Sequence, residues 1–175
     1  SGFIEQTLPG IVDMFKDKDP GVRYLALEAY QTVAGNERTS GFIEQTLPGI
    51  VDMFKDQDLD VRYRALEAYQ AVIKNERTSG FIDQKGVSGI VDMFKDKDPD
   101  VRYWALLAYR AVAGNERTSG FIEQKGVSGI VDMFKDKDRD VRCLALEACK
   151  LVIKQRPDLI EPYRERIREL APGLL

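Results

Sequence analysis

The sequence predicts an all-α solenoid, a stack of similar helical modules, and three observations predict it. A segment opening on Ser-Gly-Phe-Ile begins at Ser1, Ser40, Ser79 and Ser119, at spacings of 39, 39 and 40 residues. Inside each segment the apolar residues recur at helical intervals. A module of this size cannot bury its apolar faces alone, and stacking on its neighbours solves that problem. The first two copies differ at 7 of 39 positions, which marks recent duplication or deliberate design. The modules are read as residues 1–39, 40–78, 79–118 and 119–156, followed by a capping helix over 157–175, all within a single repeat array.

Each module reads as three helices. The first is short and centres on Phe3-Ile4, Phe42-Ile43, Phe81-Ile82 and Phe121-Ile122. The second follows Gly86 or Gly126, or opens with Pro9 or Pro48 at the first helical position, where proline is tolerated. Its apolar residues Val87, Ile90, Val91 and Phe94 follow an i, i+3, i+4, i+7 pattern. "KDKDPDVR" then breaks the pattern, with Asp98 as N-cap and Pro99 as first helical residue of the third helix. That helix runs from Val101 to about Ala113 and stops at Gly114-Asn115. Beyond Lys154 the repeat dissolves. Leu159, Ile160, Tyr163, Ile167, Leu170 and Leu174 keep a 3–4 spacing, with Arg164, Glu165, Arg168 and Glu169 opposite, as a polar-faced terminal cap requires. No matching cap is visible at the N-terminus.

Composition narrows the function classes. The net charge is −3 with both signs interspersed, which argues against nucleic acid as the main partner. No apolar run is long enough for a membrane span, and no signal or transit peptide is visible, so no membrane partner is expected. Cys143 and Cys149 lie six residues apart in a helical pattern, about 9 Å along the axis, too far to bridge. They read as reduced packing residues in an intracellular, cytoplasmic setting.

The stretch "GVSGIVDMFKDKDPDVRYWALLAYRAVAGNERTSGFIEQKG" resembles an armadillo repeat, and its "DPDVR" turn is equally typical of the sister HEAT repeats. The residues that carry the resemblance are Gly86, Ile90-Val91, Asp98, Val101-Arg102, Ala105, Ala108, Val112 and Asn115. It covers residues 1 to about 154 and implies a right-handed superhelix whose concave side is lined by the third helices. Relatives that hold extended peptides carry Asn late in the third helix as a clamp on the peptide backbone. The matching positions here are Thr32, Ala71, Ala111 and Leu151, and none can make that double hydrogen bond.

Differences between the copies mark a face. Along the third helix Val22, Ala26, Ala29, Tyr30 and Val33 fall in one arc that hardly changes, apart from Cys149 at a tyrosine position. The opposite arc varies, as Leu25/Arg64/Trp104/Leu144, Glu28/Glu67/Leu107/Glu147, Thr32/Ala71/Ala111/Leu151 and Gly35/Lys74/Gly114/Lys154. Neutral drift on a surface favours polar residues, yet Trp104, Leu107 and Ala111 gather on this stripe, followed by Leu144 and Leu151. An exposed Trp beside Arg64 and Arg110 has the composition of a binding hot spot, although Trp104 could equally cover a groove between modules.

Other motifs reduce to architecture. "DKDPGVRYLALE" carries acids at calcium-loop spacings, but Val22 stands where the loop turn requires Gly, so capping is the reading. Asp17/Asp56/Asp96/Asp136 and Arg23/Arg62/Arg102/Arg142 recur once per module, as a ladder tying adjacent turns would. Gly10, Gly49, Gly89 and Gly129 suggest close approach of a neighbouring helix. "KGVSG" lacks phosphate-loop spacing. The absence of His removes the commonest base and nitrogen ligand, and with it the His-Glu iron site of one HEAT-repeat hydroxylase family. A helical-repeat DNA glycosylase working through Trp and Asp would need a basic lining, whereas this stripe carries Glu28, Glu67 and Glu147.

The expectation is therefore a non-enzymatic scaffold with no cofactor and no metal, engineered in origin. It would bind a protein or peptide through Leu25, Glu28, Arg64, Glu67, Trp104, Leu107, Ala111, Leu144, Glu147 and Leu151. The alternative is a structural array that homo-oligomerises end to end through its uncapped N-terminal repeat.

Overall fold

The computed structural model describes residues 10–34 and 39–175, so the expectations placed on Phe3-Ile4, Pro9 and Gly35 lie outside it. Among the described residues all regular structure is helical and there is no strand. The chain divides into two compact units, Ser1–Ile82 and Asp83–Leu175.

In the first unit, helical residues 10–14 lead through a turn into α1 (Pro20–Val33). Next come α2 (Ser40–Asp52), the 3-10 turn Met53–Lys55 and α3 (Leu59–Lys74). The 3-10 turn Ser79–Phe81 follows, and α3 packs against both α1 and α2. In the second unit, α4 (Gln84–Asp92) and the turn Met93–Lys95 lead to α5 (Pro99–Gly114). The turn Ser119–Phe121 then leads to α6 (Gln124–Met133) and α7 (Arg139–Gln155). Two 3-10 turns, Pro157–Leu159 and Glu161–Tyr163, precede α8 (Arg164–Leu170). Here α7 packs against α5 and α6.

The long helices begin where the sequence places their caps. Asp19, Asp58, Asp98 and Asp138 each accept a hydrogen bond from an amide in the first turn of α1, α3, α5 and α7. Their C-terminal ends are satisfied by a residue the periodicity does not reveal. Thr39, Thr78 and Thr118 are buried, and each hydroxyl donates to a helix-end carbonyl, Val33, Val72 or Val112, at 2.6–2.9 Å.

Three local expectations are corrected. Pro48 does not open a second helix; it lies inside α2, which runs unbroken from Ser40. Proline there leaves the Glu44 carbonyl without its helical amide donor, and α2 continues through it nonetheless. The third and fourth modules carry one extra residue, and there the first helix shrinks to a single 3-10 turn. Extended Asp83 or Glu123 then starts a new helix two residues before Gln84-Lys85-Gly86 or its counterpart is complete, so Gly86 and Gly126 sit in the first turn rather than before it. The expected capping helix over 157–175 is two 3-10 turns and the short α8. Pro157 and Pro162 each begin or sit within a 3-10 turn, and only Ile160 and Ile167 of its apolar set are fully buried.

The expectation of a close neighbour holds at Gly129 and fails at Gly49 and Gly10. Phe94 Cδ2 stands 2.8 Å from where a Cβ on Gly129 would be, whereas Gly49 meets only ordinary contact at 3.9 Å and Gly10 faces open space. Gly126 is tighter still, because a Cβ there would run into the Tyr109 hydroxyl. Tyr109 is wholly buried and cannot withdraw. Gly126→Ala should therefore cost about 1–3 kcal/mol through overpacking, exceeding its gain in helix propensity. Gly120→Ala, which faces open space, should leave the urea midpoint nearly unchanged.

The acid–arginine ladder is present within each unit. Arg23 forks onto Asp56 through Nε and Nη2 at 2.9 and 2.8 Å, and Arg102 onto Asp136 at 2.8 Å through both. The remaining nitrogen, Nη1, donates to two carbonyls of the arginine's own turn, Asp17 and Lys18 or Asp96 and Lys97. Each aspartate also accepts the amide two residues on, Asp58 or Asp138, at 2.9 Å. Burial alone would raise Asp56 and Asp136. The arginine hydrogen bond, that amide and the arginine charges outweigh it and hold both carboxyls below the ordinary aspartate range.

A depressed carboxyl contributes stability that is complete above its unfolded value, about 3.9, and is lost as pH falls through the lower folded value. The double variant Asp56→Asn, Asp136→Asn should be less stable than the parent at neutral pH. Its urea midpoint should also fall less between neutral pH and about pH 3. Parallel slopes for parent and variant would count against the ladder.

Candidate interaction surface

The variable stripe is built on α1 and α3 in the first unit, and on α5 and α7 in the second. On α1, Leu25 is 56% exposed, the largest exposure of any big apolar side chain among the described residues. Glu28 beside it is also exposed. Arg64 and Glu67 on α3 are half-buried and joined to each other at 2.6 Å.

Arg64 is the hub of this unit's stripe. Its guanidinium lies 4.4 Å from the centre of the Tyr24 ring and hydrogen-bonds the Tyr24 hydroxyl. Glu28 Oε1 stands 3.9 Å away. Burial alone would lower the Arg64 pKa, but the Tyr24 hydrogen bond and the Glu67 charge keep it above the usual arginine value. Tyr63 meets Tyr24 edge to face at 6.3 Å, and its hydroxyl is pushed up to about 12, first by hydrogen bonding to Tyr24 and then by burial. The cation is thus committed to its own surroundings, and the open part of the stripe is Leu25 and Glu28.

In the second unit, Trp104, Leu107 and Ala111 lie along α5, and all three are half-buried. The exposed Trp expected from the sequence is therefore corrected. The indole stands edge-on to Tyr103 at 6.2 Å and is partly covered. Leu144 is corrected further, being only 5% exposed. α7 is packed against both α5 and α6, so a position that helical periodicity places on the outer arc still falls under a neighbour. Leu151 is half-buried, its Cδ1 3.7 Å from where a Cβ on Gly114 would stand. Arg110 pairs with Glu147 across the two helices. The stripe here is an apolar strip of Trp104, Leu107, Ala111 and Leu151 bordered by one ion pair.

A cleft of which the sequence gives no sign lies away from the third helices. Its volume is about 460 Å³, and it is lined by α4, α6 and the C-terminal segment, with Phe94 and Met133 among its apolar residues and Lys95, Lys125 and Tyr163 among its polar ones. Lys125 is tied to Asp92 at 2.7 Å. No third-helix residue contributes to it.

Neither cysteine is bridged. Cys143 is exposed, and Cys149 is buried, its thiol pushed up to about 11 by that burial. Among the described residues no three His, Cys, Asp or Glu side chains are grouped to hold a metal ion. No helix among them is long and apolar enough to cross a membrane.

No protein-family model matches the sequence, and no curated protein matches it. Solved structures do match. An engineered protein superposes with a TM-score of 0.77 at 17% identity, over 91% of this chain and 67% of its own. A computationally designed armadillo repeat protein for modular peptide recognition gives 0.76 at 22% identity, over 98% of this chain and 74% of its own. A designed armadillo repeat protein in complex with the peptide (KR)4 gives 0.75 at 19% identity, over 94% of this chain and 70% of its own. The chain has the all-α fold of these armadillo-repeat solenoids.

Proposed function

We propose that the chain is a non-enzymatic scaffold, of engineered origin, that binds a protein or peptide segment along the variable face of its third helices. The observation that carries this reading is the stripe itself. Along the third helix the packing positions hardly change, whereas the opposite arc reads Leu25/Arg64/Trp104/Leu144, Glu28/Glu67/Leu107/Glu147 and Thr32/Ala71/Ala111/Leu151. Two structures of the same fold support it, one designed for modular peptide recognition and one holding a peptide.

The chemistry of the stripe indicates what it would hold. Trp104, Leu107 and Ala111 offer a half-covered apolar strip for one anchoring side chain, and Glu28 on the first unit, exposed and 3.9 Å from Arg64, offers a carboxylate for a basic one. Thr32, Ala71, Ala111 and Leu151 cannot clamp a peptide backbone through an amide side chain, so side-chain anchors would carry the affinity. The cytoplasm, a reducing compartment, suits two unbridged cysteines.

The test is selection of binders from a displayed random-peptide library on the intact chain. Trp104→Ala with Leu107→Ala should weaken a selected peptide about thirtyfold, the loss of roughly 2 kcal/mol, with an unchanged helical circular-dichroism spectrum. Retention of full affinity by that variant would place the binding elsewhere.

A further inference from the structure

We propose that the second unit holds one internal water molecule at the junction between its two modules, bound to the Tyr109 hydroxyl. Tyr30 on α1 and Tyr109 on α5 occupy the same position of the repeat, but the surroundings of their hydroxyls differ. In the first unit the Tyr30 hydroxyl donates to the Ile43 carbonyl at 3.4 Å, and Ile43 lies in the unbroken α2. The corresponding carbonyl in the second unit belongs to Ile122. There a single 3-10 turn replaces the helix, and Ile122 and Glu123 run extended into α6. The Ile122 carbonyl accepts instead from Arg156 Nη1 at 3.1 Å.

Tyr109 is left without that acceptor. Its side chain has no exposed surface, and its hydroxyl meets no hydrogen-bond partner among the described residues. Burial pushes the hydroxyl well above the ordinary tyrosine range, so at neutral pH it stands as an O–H donor. A buried donor with no acceptor is unfavourable, because it has given up its bond to bulk water and gained none in return.

Space for an acceptor lies beside it. A cavity of about 10 Å³ is lined by Tyr109 and by Gly126, the residue that the hydroxyl abuts. That is room for about one water molecule and for nothing larger. The polar side chains of Gln84, Ser88 and Glu123 border the same cavity. Gln84 Nε2 donates to the Phe121 carbonyl at 3.1 Å and to Ser88 Oγ at 3.5 Å, which leaves its Oε1 to accept. A water here accepts from Tyr109 and donates to Gln84 or to the Glu123 carboxylate, and such shared contacts are what order an internal water. It stands in for the carbonyl that the altered module no longer presents. Gly126 keeps the approach to the hydroxyl open, since a Cβ there would collide with it.

High-resolution crystallography of the intact chain, beside its Tyr109→Phe variant, tests this. The parent should show one ordered water within hydrogen-bond reach of Tyr109 Oη and of at least one of Gln84, Ser88 and Glu123. Tyr109→Phe should lack that water, and its folding equilibrium constant from urea titration should fall about fivefold, the size of one ordinary hydrogen bond. A Tyr109 hydroxyl bonded directly to a protein group, a cavity with no ordered water, or a Tyr109→Phe variant as stable as the parent or more so would overturn the proposal.

Discussion

The tyrosine in the middle of a third helix is where one module ends and the next begins. Tyr30 has no exposed surface, and it reaches that state between two rings, Phe15 of its own module at 6.0 Å and Phe42 of the following one at 5.9 Å. In the second unit Tyr109 meets Phe94 of its own module edge-on at 5.4 Å and abuts Gly126 of the next. A ring that takes its burial from two modules cannot be covered by either alone. Folding is therefore cooperative across the junction, in the nearest-neighbour manner of repeat arrays. The fourth module has Cys149 at this position, a smaller buried side chain, and the residues after it, 157–175, depart from the repeat.

Burial supplies the stability and the arginine forks supply the register. A buried apolar face slides with little change in area, but a bidentate pair at 2.8 Å between Arg23 and Asp56 is satisfied in one alignment only. The same arginine closes its own turn and the same aspartate fixes the next helix start, so module contact and helix geometry are set together. With packing assigned to one arc of the third helix and register to the turn, the opposite arc is left free to vary. That division of faces leaves the stripe free to change without cost to the fold.

Much of this was legible from residues alone. Asp19, Asp58, Asp98 and Asp138 announced the helix starts, because an N-cap is a local event between a side chain and an amide two or three residues away. The arginine–aspartate ladder was legible because it recurs once per module. Thr39, Thr78 and Thr118 recur just as faithfully but went unread, since a threonine closing a helix end six residues back has no distinctive spacing. Pro48 reads locally as a helix start, because proline suits a first helical position, whereas α2 runs through it unbroken from Ser40.

The sequence by itself determined the module, its helices, its caps and the arc that packs, because each is written in contacts within a few turns of chain. Only the tertiary structure decided how open the other arc is. Leu25 and Leu144 stand at the same position of the repeat, yet one is exposed and the other buried. Periodicity gives the direction of a side chain from its own helix axis, and exposure depends on which neighbouring helix lies in that direction.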